Sequence, residues 1–160
     1  MRTYTHFLLL FCLWLLPAAD SLAQPYTLRH LGVEDGLSNN YVRDIAQDRQ
    51  GCIWIATELG LNRFDGCNFT TYKSNNTGLS SDALNVLLYD ETENLLWISG
   101  KFKGICALDC STYRFRSYGE AEGANIDNVV HLSHAANEGI WITMHHGDIV
   151  YYDKRSQTFT

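Results

Sequence analysis

Several features that would mark out a function class are missing from this chain of 160 residues. It has no basic stripe: 12 Lys and Arg stand against 18 Asp and Glu, for a formal charge of −6. Without clustered cations it has no electrostatic footprint for phosphate, which argues against nucleic acid and against an anionic membrane surface as partners. It has no apolar run long enough to cross a bilayer. The longest, Phe7 to Leu16, covers about half of a hydrocarbon core. No glycine-rich phosphate loop appears, and no serine has a base and orienter suggested by motif, so no cofactor and no catalytic residue are assigned. Metal-ligand spacing is absent as well. His131 and His134 stand three apart in an expected strand and so face opposite sides, and His145-His146 is an adjacent pair in a hairpin loop.

The short apolar run has a reading of its own. Arg2 precedes it, Pro17 breaks it, and Ser21-Leu22-Ala23 offers small residues where a signal peptidase reads. Residues 1–23 are therefore expected to be a secretory signal peptide cleaved after Ala23. Export would permit disulfides. Cys52 and Cys67 can face each other across a hairpin centred near Leu59 and form a bridge. Buried or half-buried free thiols are the alternative. Cys106 and Cys110, four apart in an extended strand, cannot bridge without a bend.

What the chain does have is a repeat. Trp54, Trp97 and Trp141 are spaced by 43 and 44 residues, in the segments "GCIWIATELGLNRFDGCNFTTY", "NLLWISGKFKGICALDCSTYRFRSY" and "EGIWITMHHGDIVYYDKRSQTFT". An Ile or Leu precedes each Trp and an Ile follows it. A glycine comes six or seven positions later (Gly60, Gly104, Gly147), then an aspartate (Asp65, Asp109, Asp153) and a closing aromatic (Phe69, Phe115, Phe159). Upstream, "GLSNNYVRDIAQD" matches "GLSSDALNVLLYD", and "GANIDNVVHLSHA" is a degraded third copy. Asp48 and Asp90 occupy equivalent places before turns, with His134 aligned in the third copy, which indicates a turn role over paired acid–base work.

Each unit holds four segments that are too short for helices and rich in Ile, Val, Thr and aromatics, so they read as strands. Four antiparallel strands per 40 to 45 residues make one blade of a β-propeller. The tryptophan run is apolar on both faces, with Ile53 and Ile55 pointing one way and Trp54 the other, as a strand between two neighbouring blades requires. The expected organisation is all-β: an outer strand of an incomplete blade in 24–35, then blades at 36–76, 77–119 and 120–160, the last ending inside a repeat. Three blades cannot close a ring, since propellers run from four to eight. The chain is thus expected to be the N-terminal part of a longer protein or a truncated product. The tryptophans are expected in the core, with Gly60, Gly104 and Gly147 opening the hairpins.

These motifs resemble the two-component regulator propeller repeat, whose Gly-Leu-Ser, Trp-Ile-x-Thr, Gly-Leu, Asp and Phe-x-x-Tyr hallmarks stand in residues 36–72. The second copy departs at Ser99-Gly100, and the third lacks Gly-Leu-Ser. The resemblance implies the periplasmic sensor of a hybrid two-component histidine kinase that responds to oligosaccharides. Its further blades, membrane anchor and kinase would lie downstream, and the full-length protein would be a homodimer. A propeller lyase or hydrolase and a structural scaffold are the alternatives. In a four-stranded meander, the loop into the first strand and the hairpin between the second and third share one end. That end gathers Asn39, Asn40, Glu58, Asp82, Lys101, Lys103, His145 and His146, the candidate surface for a hydroxylated ligand.

Overall fold

The computed structural model describes residues 28–136 and 139–160, and residues 31–160 form one of two compact units. In that unit the apolar-plus-turn pattern becomes twelve strands: β1 Val42–Gln47, β2 Ile53–Thr57, β3 Gly60–Phe64, β4 Phe69–Tyr72, β5 Leu84–Asp90, β6 Leu95–Gly100, β7 Ile105–Asp109, β8 Arg114–Tyr118, β9 Val129–His134, β10 Gly139–Met144, β11 Ile149–Asp153 and β12 Thr158–Phe159. They pair in sequence order into three four-stranded antiparallel sheets, β1 to β4, β5 to β8 and β9 to β12. The sheets coincide with the three repeats, so the fold is the expected set of propeller blades. β1 lies against β5, and β5 against β9, so the first strands of successive sheets run side by side.

The repeat extends to backbone irregularities. Each first strand carries a bulge at the same register, between Val42 and Asp44, between Leu84 and Val86, and opposite Thr143 and Met144. A bulge adds local twist, which lets neighbouring blades fan past each other.

Side-chain alternation explains why one strand can serve two interfaces. In β6, Leu96 and Ile98 enter a core shared with Trp54, Ala56 and Leu61 of the first blade. Trp97, between them, points the other way, into a core shared with Val129, Leu132, Ile140 and Ile142 of the third. β7 divides similarly: Cys106 and Leu108 join the first core, Ile105 and Ala107 the second. The period of two in side-chain direction turns one apolar run into the filling of two cores. Burying a side chain of this size is worth roughly 1.5–3 kcal/mol.

Each inter-blade tryptophan is set in aromatic rings. Trp54 lies 5.7 Å from Tyr72 of its own blade and 6.4 Å from Tyr113 of the next. Trp97 lies 5.6 Å from Tyr118 and 5.0 Å from Tyr152 across the seam. Trp141 departs from the expected core role: it is 44% exposed and contacts Tyr151 of its own sheet at 4.8 Å. The reason is positional, because no described sheet covers that face of the third blade.

Three other expectations have mixed outcomes. The Cys52–Cys67 bridge is not formed, and both are free thiols. Cys52 is buried before β2 and its Sγ accepts a bond from Arg63 Nη2 at 2.9 Å, while Cys67 sits on the exposed β3–β4 turn beyond the paired strand ends. The expected outer strand in 24–35 falls partly, and the signal peptide wholly, outside the described residues. Residues 28–32 carry no strand, and Val33–Asp35 form a 3-10 turn instead. A strand needs a ladder partner, and no described strand pairs with those residues. The turn role of Asp48 is met: its carboxylate accepts from the backbone N–H of Gln50 and Cys52 and from Trp54 Nε1 at 2.9 Å.

Candidate functional site

The hairpins joining second and third strands lie at one end, and the first two are tied to the segment leading into the next blade. Gly60 N–H donates to the Asp82 carbonyl at 2.8 Å, and Gly104 N–H to the Ile126 carbonyl at 2.7 Å, one repeat apart. Both glycines have positive φ, and a Cβ at Gly104 would collide with the Tyr118 carbonyl oxygen, so the close approach there needs glycine. His145 N–H donates to the Asn128 carbonyl at 3.0 Å. Gly147 also has positive φ, but in open space.

Two of the expected residues work as a brace. Glu58 receives Arg43 of its own blade through both guanidinium Nε and Nη2, and Lys101 of the next blade through Nζ at 3.0 Å. Hydrogen bonds from Arg43, then from Lys101, hold the Glu58 carboxyl below its ordinary value. Asn40 and Asp82 serve the backbone: Asn40 Oδ1 accepts from Val33 N–H at 3.0 Å, and Asp82 Oδ1 from Ser74 N–H at 2.7 Å.

His145 and His146 do line an open groove. It has a volume of about 390 Å³ and is bounded by Asn85, Asn128, Val129, Val130 and the two histidines. His146 stands between two carboxylates, with Nε2 3.0 Å from Asp127 and Nδ1 3.6 Å from Asp148. The lining thus offers two amides and two imidazoles beside a strip of valine. Sequence reading missed Asn85, Asn128 and the valines. Asn85 lies one repeat after Arg43, at the start of the first strand, and that position was the available signal. Among the described residues no group of three or more His, Cys, Asp or Glu side chains could hold a metal ion.

A second groove of about 300 Å³ lies where the β1–β2-type turns face the next blade, lined by Asp90, Thr92, His134, Lys154 and their neighbours. Its two buried charges are paired with each other. Lys154 meets Asp90 across the seam between second and third blades, with 8% and 1% of the side chains exposed. Burial alone would raise the Asp90 carboxyl, but bonds from Lys154 and Thr92 outweigh it and hold the group below its usual value.

The two component regulator propeller family matches residues 36–58. The extracellular domain described as belonging to hybrid two component system BT3049 of B. thetaiotaomicron is 36% identical, with a TM-score of 0.75 over 85% of this chain and 20% of that one. The corresponding domain of BT4673 from the same organism shares the fold, at 24% identity and a TM-score of 0.65, over 78% of this chain and 18% of that one. Histidine kinase P4 of Formosa agariphila is 51% identical over 41 residues, which are 26% of this chain and 3% of that protein. The chain therefore spans about a fifth, or less, of the relatives it matches. The matched segment runs from the Gly-Leu-Ser turn ahead of β1 through the Trp-Ile strand β2, and the four-stranded sheet it opens is built three times along the chain, so residues 36–58 are similar to the two-component regulator propeller repeat.

Proposed function

We propose that this chain is part of the exported, periplasmic sensor region of a hybrid two-component system, and that it recognises an oligosaccharide-like ligand without acting on it chemically. In this reading it is one segment of a longer sensor, anchored and coupled to a kinase by regions outside this sequence. The relatives support a sensor context: BT3049, the more similar of the two solved domains, is an extracellular one. Among the described residues no helix is long and apolar enough to cross a membrane.

The observation that carries the reading is the groove at the hairpin end. Its volume falls within the range of small-ligand sites, about 300–1,000 Å³. Amides and imidazoles donate to and accept from hydroxyl groups, while the half-exposed Val130 offers an apolar contact to a sugar's C–H face. The groove spans two blades through Asn85 of the second and the hairpin of the third, so a ligand there would bridge repeats.

Calorimetry of the full chain against a panel of neutral and acidic di- to tetrasaccharides tests this. Each hydrogen bond to ligand is worth about 0.5–1.5 kcal/mol, so the double variant Asn85→Ala, His145→Ala should bind roughly tenfold more weakly. Binding unchanged in that variant, or no heat with any saccharide, would reject the reading.

A further inference from the structure

The positions that line the hairpin-end groove recur on the preceding blades. Register makes Val42, Leu84 and Val129 equivalent, since they pair with Thr57, Gly100 and Met144. Their neighbours are then equivalent too: Tyr41, Ala83 and Asn128 before them, Arg43, Asn85 and Val130 after. Asn85, Asn128 and Val130 line the groove, and the first blade sets Tyr41 and Arg43 at the same positions. Tyr41 is 59% exposed, more than any other aromatic among the described residues, yet its ring is firmly mounted. Its backbone N–H donates to Asn39 Oδ1 at 2.6 Å, and the Arg43 guanidinium lies over one ring face, 4.5 Å from the centroid. Arg43 is fixed in turn by Glu58, which also receives Lys101 of the second blade. One face of the ring is covered by a cation that cannot swing away, and the other is open to solvent.

We propose that Tyr41 is a second contact for the saccharide held in the groove, a stacking platform for the C–H face of a sugar ring, so that the ligand is a chain running across three blades. This rests on the reading of the groove as a saccharide site. The open ring does not belong to the uncovered flank of the first blade. Val42 holds that flank, at the position from which Leu84 and Val129 enter the cores shared with the preceding blade. Arg43, the cation over the ring, is tied instead through Glu58 to Lys101 of the following blade. Between the ring and the groove the equivalent residue is Ala83, a single methyl group with little to obstruct a chain. First strands of successive blades lie side by side, and two steps at the spacing of neighbouring strands come to about 10 Å at the least. One sugar ring does not reach that far, so the class of ligand is an oligosaccharide longer than a disaccharide. A ring already held in place loses little freedom when a sugar stacks on it.

Calorimetry of the full chain with the di- and tetrasaccharide of the best-binding series in the panel above tests this. The tetrasaccharide should bind about fivefold more tightly than the disaccharide, the gain that one aromatic contact supplies. Tyr41→Ala should remove that gain while leaving both the disaccharide affinity and the thermal midpoint unchanged. Tyr41→Phe, which keeps the ring, should retain it. A merely structural role for Tyr41 would lower both affinities together. Magnetic resonance of chains carrying labelled tyrosine gives a second readout without a disruptive change. The ring signal that is missing from Tyr41→Phe should shift with the tetrasaccharide and stay in place with the disaccharide. Affinity independent of chain length, a gain that survives Tyr41→Ala, or a Tyr41 signal blind to the tetrasaccharide would overturn the platform and leave the groove standing as a site. No heat with any saccharide of the panel would overturn both.

Discussion

Lys154→Met is the most informative single change to the blade seams. The Lys154 ammonium and the Asp90 carboxylate are both withdrawn from water, at 8% and 1% exposure. Removing one member of such a pair strands the other charge, at a cost of about 3–5 kcal/mol. The structure argues for the lower part of that range. Trp97 Nε1 is a buried donor with no hydrogen-bond partner, and one repeat earlier the equivalent indole N–H donates to Asp48. Position 110, the counterpart of Lys154 in the first seam, is a cysteine. The first seam thus shows a carboxylate served by tryptophan and turn N–H groups with no cation in the lysine position, and Asp90 can turn to the same arrangement when Lys154 is gone. The expected loss at neutral pH is about 3 kcal/mol, measured by urea unfolding. The pH dependence carries the sign. In the native chain the folded Asp90 carboxyl lies below its ordinary value of 3.8. Its contribution is therefore complete above about pH 4 and lost as pH falls through the folded value. In Lys154→Met burial dominates, the folded carboxyl rises, and acid relieves the buried charge. The stability gap between the two proteins should shrink steadily below about pH 5. A gap under 1 kcal/mol at pH 7, or one that stays constant down to pH 3, would refute the reasoning.

Two further outcomes follow from the hairpins and the thiols. Gly104→Ala should destabilise the chain by more than Gly147→Ala. Both have positive φ, which costs about 1 kcal/mol for alanine, but only Gly104 abuts the Tyr118 carbonyl; thermal denaturation of both variants makes the comparison. Cys67 should react with a thiol reagent at once in the native state. Cys106 and Cys110 should react only after unfolding, since burial pushes their thiols up to about 11 and about 12 and leaves almost no thiolate; counting released chromophore before and after denaturant checks this.

The architecture was legible because tertiary packing repeats along the chain. Any residue that packs between blades must recur every 43 or 44 positions, so Trp54 and Trp97 announced both the strands and their burial. Trp141 was misjudged for the complementary reason: its sequence context equals that of the others, and exposure depends on what lies beside the sheet. The hairpin end was legible as a location, since a meander fixes which loops share it. The individual residues were not. Asn40 and Asp82 look like ligand groups in sequence but satisfy local backbone N–H groups, and short polar side chains near turns do this as a rule. Glu58 and Lys101 belong to a brace between blades, a partnership spanning 43 residues that no local pattern displays. The Cys52–Cys67 spacing suited a hairpin, but Cys67 falls on the exposed β3–β4 turn, past the last paired residue of the β2–β3 ladder, while Cys52 is buried.

The division of β6 between two cores has a consequence for the middle blade. Sliding that strand by one position would drive Trp97 into the space shaped for Leu96 and Ile98, and those two into the seat shaped for an indole. Both seams would fail together, so an error in pairing meets opposition from two neighbours at once. Among the described residues the first and third blades each pack on one flank, and there the alignment is checked by a single neighbour.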